Sequence, residues 1–241
     1  GDSGVTDAGQ LAAHAAGKAN VPTMGGILIV GAMLASILLL ADLSVPYVGI
    51  GILVIVCYAG LGISDDWLKL TASRRGTGRQ GLHAWEKLVF QLGIGLLIGF
   101  FVFRAGHAPP GAESDSLAHV LNLPFQKTYD NASAPPSPYL IYLPSLAFTV
   151  ITLLMMTGMT NAVNITDGMD GLAGGITVIV TLGLMVLCFI AGFEDAAKFL
   201  LVPYIPTSDE LAVVCAATAG GCLGFLWWNA SPAKIFMGDT G

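Results

Sequence analysis

Residues 45–69 read VPYVGIGILVIVCYAGLGISDDWLK. The apolar part of this stretch is near the length of about 20 residues that a helix needs to cross a hydrocarbon core of about 30 Å. It ends at two adjacent carboxylates, Asp65 and Asp66, and acidic residues at a membrane boundary are costly to keep unless they bind a cation or a substrate. The stretch therefore predicts a membrane helix with a functional site at its end.

The composition extends this prediction to the whole chain. Of the 241 residues, 54% are hydrophobic and only 11% are charged, whereas a soluble domain has about 25% charged residues. We predict an all-α fold, a polytopic membrane helix bundle that forms a single membrane domain over residues 1–241. About six transmembrane helices are expected, at Gly26 to Leu43, Val45 to Ile63, Leu88 to Phe103, Tyr139 to Met159, Leu172 to Phe193 and Leu211 to Trp228.

Six alternating spans divide the remaining residues between two sides of the membrane. One side holds the loops 1–25, 64–87, 160–171 and 229–241, and the other holds residue 44 and the loops 104–138 and 194–210. The first side carries seven of the ten Lys and Arg residues, so the positive-inside rule makes it cytoplasmic. The loop 104–138 is then external, with a short hairpin expected around Val120 to Thr128.

The first cytoplasmic cluster is Asp65, Asp66 and Lys69. Adjacent carboxylates repel each other, and keeping both ionised requires a compensating cation such as Mg²⁺ or a nearby lysine. Lys69 lies three residues after Asp66 and on the same face if the helix continues for one more turn. The alternative is a solvated helix end without a function.

The second cluster, residues 161–175, reads NAVNITDGMDGLAGG. Its glycines allow close approach of the backbone to a phosphate or nucleotide. Asp167 and Asp170 can bind a metal or act as a base, and Asn161 and Asn164 can both donate and accept hydrogen bonds. The alternative is a capped loop, in which Asp167 or Asp170 caps the helix that begins near Leu172.

Two further clusters lie near the ends of the chain. Residues 229–241 read NASPAKIFMGDTG, where Asp239 can turn toward a metal, Asn229 can hydrogen-bond a base and Phe236 can stack on one. The alternative for Phe236 is interfacial packing. Residues 18–26 read KANVPTMGG, in which Lys18 offers a cation to a phosphate.

Together these four segments resemble the polyprenyl-phosphate N-acetylhexosamine-1-phosphate transferases, with motifs in that family's order along essentially the whole chain. The residues from Pro22 to Gly26, together with Lys69, favour the branch that uses UDP-N-acetylmuramoyl-pentapeptide. The family pattern has Gly-Thr where this chain has Asn20 and Val21. It also has a helix before the first motif and further helices and a His-rich loop after the last, so we expect the chain to be a fragment that is incomplete as a catalyst.

The resemblance implies a reaction of bacterial peptidoglycan synthesis at the cytoplasmic membrane. Undecaprenyl phosphate attacks the β-phosphate of UDP-N-acetylmuramoyl-pentapeptide, which gives lipid I and releases UMP. Mg²⁺ is the expected cofactor, a homodimer is the expected assembly, and no nucleic acid is expected as a partner.

The resemblance also implies roles for individual residues. Asp239 and Asp167 would hold the Mg²⁺, and Asp65 would be a candidate base on the lipid phosphate, with Asp66 beside it. Lys18, Thr23 and Lys69 would neutralise or position the phosphates. The uridine moiety would be surrounded by Asn164, Gly168, Met169, Asp170, Asn229 and Phe236.

Two other readings stay open on the sequence. A sister transferase would take UDP-N-acetylglucosamine as the donor. A secondary transporter would use the carboxylates for coupling, but transporters place such residues near the bilayer centre, whereas here each acidic cluster lies at a predicted interface.

Overall fold

The structure of the chain is a computed structural model that describes residues 22–75, 81–106, 117–123 and 126–240. Within these ranges the fold is mostly helical, as predicted. Five of the described helices are long and apolar enough to cross a membrane, so the chain is a multi-pass membrane protein. The helices are α1 (Gly26–Leu40), α2 (Pro46–Arg75), α3 (Ala84–Ala105), α4 (Ser145–Thr166), α5 (Leu172–Gly192), α6 (Glu194–Phe199) and α7 (Glu210–Asn229).

Helix α1 is shorter than the predicted first span. It has 15 residues, which makes it about 22 Å long. The chain leaves the helix at Ala41, which is extended with φ −91° and ψ 151°. The backbone N–H of Asp42 then donates to Glu210 Oε2 at 3.0 Å, and this contact ties the turn to the start of α7.

Helix α2 is longer than the predicted second span, which was expected to end at Ile63. It continues to Arg75, so Asp65, Asp66 and Lys69 lie on a helix rather than in a loop. The regular helix fixes the directions of these side chains relative to one another.

Helices α2 and α7 lie at the centre of the bundle. Helix α2 contacts α1, α3 and α7, while α7 packs on α1 and α5, and α4 packs on α3. Where α3 meets α4, Cβ atoms added at Gly95 and Gly99 would lie 3.2 and 3.1 Å from the Cα atoms of Leu153 and Thr149. Small residues of this kind let membrane helices approach closely.

A buried apolar cluster joins the last described segment to the bundle. It consists of Ile29, Val178, Cys222, Phe225 and Met237. Because these residues come from α1, α5, α7 and the segment after α7, the C-terminal residues are packed against three helices. The outer helix faces are apolar and exposed, as at Leu39 (82%) and Ile179 (74%), which suits contact with lipid.

The predicted hairpin around Val120 to Thr128 is wrong. Strand β1 (Val120–Leu121) pairs antiparallel with β2 (Ile141–Tyr142), about twenty residues further along the chain. The chain between them is held elsewhere, because the backbone N–H of Thr128 donates to Leu201 O at 3.0 Å. The local antiparallel contact of this loop lies further on, between Tyr129 and Pro136.

Candidate active site

Six helix ends meet at one end of the bundle. The start of α5 joins the end of α7 through the hydrogen bond from Gly171 N to Asn229 Oδ1, 2.9 Å long. The start of α1 joins the segment after α7, where Gly25 N donates to Phe236 O at 2.9 Å. The end of α2, the start of α3 and the end of α4 supply the charged residues described next.

Two lysines and two carboxylates form a charged ring at this end. Lys69 Nζ lies 2.7 Å from Asp65 Oδ2 and 2.9 Å from Asp239 Oδ2. Lys87 Nζ lies 2.8 Å from Asp65 Oδ2 and also contacts Asp239 Oδ2. Each lysine therefore bridges the same two carboxylates, which come from α2 and from the segment after α7.

Asp65 is the buried member of this charged ring. Its side chain is 1% exposed, whereas those of Lys69 and Lys87 are 42% and 25% exposed. Asp65 Oδ1 accepts a hydrogen bond of 2.6 Å from Leu82 N, so both carboxylate oxygens have partners. A buried carboxylate needs such pairing, because removing one partner of a buried ion pair costs about 3–5 kcal/mol.

Asp66 points in a different direction from its neighbour. Its Oδ1 accepts from Asp239 N at 3.2 Å, and its Oδ2 accepts from Thr240 N at 3.1 Å and from Thr240 Oγ1 at 2.6 Å. The sequence predicted that Lys69 would share a face with Asp66. The ion pair that forms is with Asp65, four residues before the lysine.

Helix α2 makes room for the Asp239 segment at Gly62. A Cβ atom added there would lie 2.0 Å from Asp239 O and 2.7 Å from Thr240 Cα. Gly238 has φ 74°, a left-handed conformation that glycine adopts without strain. The backbone next to Asp239 therefore fits against the helix only with these two glycines.

Asp167 faces the same space from the end of α4. It lines a cavity of about 400 Å³ together with Lys87, Asn164 and Asp239, while further along the cavity wall is apolar. Burial raises the pKa of Asp167 to about 6, and the negative charge of Asp239 adds to this effect. Asp167 therefore lies where a cation would be favourable.

Other predicted substrate residues line a second cleft. Gly168, Met169 and Asp170 border it together with Ala230 and Ser231, which follow α7. The structure thus divides the predicted uridine residues, with Asn164 in the first cavity and these three in the second.

Asn229 is the last residue of α7 and is only 3% exposed. Its Oδ1 accepts from Gly171 N, and its Nδ2 donates to Ile235 O at 2.9 Å. Both polar atoms of the amide are thus engaged with backbone, which gives Asn229 a role in holding the segments together.

Phe236 and Thr23 lie on two segments that run side by side. Phe236 N donates to Pro22 O at 2.9 Å, and Gly26 N donates to Met237 O at 2.8 Å. Thr23 lies in this paired segment and is exposed. Lys18 lies outside the described residues.

Three residues at this end were not among the sequence-based candidates. They are Lys87, Gln91 and Thr240. The sequence contains a pattern that could have indicated Lys87, because a capping box between His83 and Glu86 marks the start of α3. A lysine in the first turn of a helix interacts unfavourably with the helix dipole unless an anion is near. Gln91 is one turn further and binds Asn161 Nδ2 through its Oε1 at 2.8 Å.

The donor atoms suit a hard divalent cation. Oxygen atoms of Asp65, Asp66 and Asp239 lie within 4.8 Å of one another, and carboxylate oxygens are ligands that Mg²⁺ accepts. With Asp167 included, four carboxylates and two lysines lie in this part of the structure, which gives an excess of two negative charges. One divalent cation would balance that excess.

The chain is a member of a family of membrane glycosyl transferases. Residues 48–241 match the model of glycosyl transferase family 4, and the chain belongs to this family. The match begins in α2 and includes the charged ring, Asp66 and Asp167.

Within the family, the chain is similar to curated phospho-N-acetylmuramoyl-pentapeptide-transferases. It is 39% identical to the one from Gemmatimonas aurantiaca, over 94% of this chain and 56% of the relative. It is 38% identical to those from Solibacter usitatus and Koribacter versatilis, over 93% of this chain and 58% of each relative. The chain therefore spans a little over half the length of these relatives.

Proposed function

We propose that this chain carries active-site residues of a phospho-N-acetylmuramoyl-pentapeptide-transferase. The reaction joins undecaprenyl phosphate to the β-phosphate of UDP-N-acetylmuramoyl-pentapeptide, forms lipid I and releases UMP in bacterial peptidoglycan synthesis. The observation that carries the proposal is the charged ring of Asp65, Lys69, Lys87 and Asp239 at one end of a bundle of membrane helices. The similarity to curated enzymes of this name supports it.

The chemistry requires screening and positioning of two anionic reactants. Phosphoryl transfer of this kind leaves little covalent work to the protein. Lys69 and Lys87, the partly exposed members of the ring, would turn their ammonium groups toward the phosphates. Mg²⁺, when bound, would supply further screening of the phosphate charge, held by Asp239 and Asp167.

Asp65 would position the two lysines rather than remove a proton. Both of its oxygens already have partners, namely Leu82 N and the two ammonium groups. A phosphate monoester has its second pKa near about 6, so it is largely ionised at neutral pH and needs little help from a base.

The nucleotide would bind beside the ring. Asp170 and Met169 line the second cleft, and the segment with Thr23 pairs with that of Phe236. The proposed uridine residues are Asn164, Gly168, Met169, Asp170 and Phe236, with Lys18 and Thr23 on the phosphates. Asn229 would hold the backbone around the nucleotide.

The site would lie at the cytoplasmic face of the membrane. Asp65 is about 28 Å along α2 from Pro46 at about 1.5 Å per residue, close to the full thickness of a hydrocarbon core of about 30 Å. A site at the membrane interface favours a transfer reaction over coupled transport, which uses residues near the bilayer centre. The segments 1–25, 64–87, 160–171 and 229–241 would face the cytoplasm, and the segment 104–138 would be external.

The test is UMP release by the full-length gene product in detergent with undecaprenyl phosphate and Mg²⁺. We expect turnover with UDP-N-acetylmuramoyl-pentapeptide and none with UDP-N-acetylglucosamine. Asp239→Asn and Asp167→Asn should each lower the rate by at least about a hundredfold, a loss of about 2.7 kcal/mol in transition-state stabilisation. Lys198→Met is the control, because Lys198 pairs with Glu194 in α6, which follows the end of α5 that is remote from the ring.

Other results would redirect the assignment. Turnover of UDP-N-acetylglucosamine alone would identify the sister transferase. Near-normal activity of both aspartate variants would contradict the metal assignment, and failure with both donors would reopen the transport reading.

A further inference from the structure

The two adjacent carboxylates of α2 make different kinds of contact. Asp65 faces side-chain ammonium groups, whereas the three hydrogen bonds of Asp66 come from Asp239 and Thr240, two of them from backbone N–H groups. Successive residues on a helix point about 100° apart. One of the pair therefore faces the charged ring and the other faces the backbone of the segment that carries Asp239.

The Asp66 carboxylate binds that segment through both of its oxygen atoms. It is 6% exposed, and an ionised carboxylate makes stronger hydrogen bonds to N–H and O–H donors than a neutral acceptor does. Its Oδ2 accepts from both the N–H and the hydroxyl of Thr240, at 3.1 and 2.6 Å. Its Oδ1 accepts from Asp239 N at 3.2 Å.

Among the described residues, the other backbone hydrogen bonds of the segment end before Asp239. Gly25 and Gly26 hold the backbone of Phe236 and Met237, and Asn229 holds Ile235 O. Gly238 then turns the chain with φ 74°. Beyond this turn, the backbone hydrogen bonds at residues 239 and 240 go to Asp66, so this carboxylate holds the backbone from which the Asp239 side chain reaches Lys69 and Lys87.

We propose that Asp66 is a positioning residue that aims Asp239 into the site, and that it is neither the base nor a principal metal ligand. The proposal deepens the proposed function and rests on it for its effect on turnover. Asparagine is a poor substitute, because its Nδ2 would replace one acceptor oxygen with a donor facing other donors.

The first readout is independent of the reaction. In the metal-free full-length protein, amide hydrogen exchange at residues 239 and 240 should be at least about tenfold faster in Asp66→Asn than in the wild type. Asp65→Asn should leave it within about twofold, because Asp65 accepts from neither amide. Unchanged exchange in Asp66→Asn would overturn the proposal.

The second readout separates positioning from chemistry. Asp66→Asn should raise the Mg²⁺ concentration for half-maximal activity by about tenfold and recover much of its rate at saturating Mg²⁺. Asp65→Asn should lose rate at every Mg²⁺ concentration. If Asp66→Asn behaves like Asp65→Asn, with an unchanged Mg²⁺ requirement, Asp66 acts in the chemistry and the proposal is wrong.

Thr240 provides a milder pair of variants in case Asp66→Asn does not fold. Thr240→Val removes the hydroxyl donor to Asp66 but keeps the backbone N–H. Amide exchange at residues 239 and 240 should therefore be about threefold faster, and the Mg²⁺ concentration for half-maximal activity about threefold higher. Thr240→Ser keeps the hydroxyl and should match the wild type. Equal behaviour of the two variants would contradict the role of Asp66. If no variant and no wild type transfers phospho-sugar, the proposed function fails, while amide exchange still decides the positioning contact.

Discussion

The surroundings of Asp167, which lies just after the end of α4, strongly raise its pKa. Burial, and then the charge of Asp239, raise its pKa from 3.8 to about 6. A carboxyl with a folded-state pKa above its unfolded value lowers the free energy of unfolding once it ionises. The cost is absent below about pH 4, grows between the two pKa values and is complete above about pH 6.

Replacing Asp167 should therefore stabilise the metal-free protein while it removes function. The shift of about two units corresponds to about 3 kcal/mol, which partial exposure to solvent reduces to about 1 kcal/mol. In detergent with a chelator, Asp167→Asn should raise the Tm by a few degrees at pH 8 and by almost nothing at pH 4. A thermal melt across pH checks this, and a lower Tm at pH 8 would contradict it.

At the scale of residues, the sequence predicted which residues cluster more readily than it predicted where their side chains point. The clustering of Asp65, Asp66 and Asp239 was predictable because each follows or precedes an apolar run. The different partners of Asp65 and Asp66 were not predictable, since they depend on where a segment more than 170 residues away docks. Lys87 was counted only as a basic loop residue, because the start of α3 was not fixed by hydropathy.

Gly62 controls how closely the Asp239 segment approaches α2. A methyl group there would overlap Asp239 O, at 2.0 Å. We expect Gly62→Ala to push the segment off the helix and lower transferase activity by at least about tenfold, about 1.4 kcal/mol.

Gly60 is the matched control on the same helix. A Cβ atom added there meets nothing within 4 Å. Gly60→Ala should keep its activity within about twofold and gain up to about 1 kcal/mol in helix stability. Activity of Gly62→Ala equal to that of Gly60→Ala would show that the close approach is not needed for turnover.

At the scale of elements, hydropathy located the helices and missed their ends. The apolar run of α1 continues to Leu43, but the helix stops at Leu40, and the backbone N–H of Asp42 donates to Glu210 instead of continuing the helix. The polar end of α2 carries no apolar signal, yet it stays helical to Arg75. The partner of β1 could not be predicted locally, because it lies about twenty residues further along the chain.

All four tryptophans of the chain lie near the end of the bundle that carries the charged ring. Trp67, Trp85, Trp227 and Trp228 are 65%, 65%, 83% and 50% exposed. Trp67 follows Asp66, and Trp228 lies under the ammonium group of Lys234, 5.5 Å from the ring centre. Tryptophan is enriched at the membrane–water interface, so this set marks the depth of the site.

Intrinsic fluorescence should report that depth. In bilayers with lipids brominated near the headgroup, quenching should be at least about twofold stronger than with lipids brominated near the chain ends. Equal or stronger quenching by the deep label would contradict an interfacial site. Trp85→Phe, which keeps the other three, should leave the ratio unchanged.

At the scale of the whole molecule, the side-to-side alternation of spans was enough to bring the acidic clusters together. The alternation does not predict the contacts between the segments 22–26 and 235–240, because these are backbone hydrogen bonds and have no sequence signature. It also does not predict that the nucleotide residues are divided between two clefts, since that division depends on the turn between α4 and α5.

The charged ring has partners from very different distances along the chain, and this orders its assembly during synthesis. Lys69 is four residues from Asp65, so the pair can form as soon as that turn of α2 is helical. Lys87 follows within about one to five seconds of translation, and Asp239 only about eight to forty seconds after Asp65, at about 5–20 residues per second. Asp65 is thus already paired with Lys69 when it reaches the membrane boundary. Asp239 later joins a site that already contains two lysines and one carboxylate of the ring.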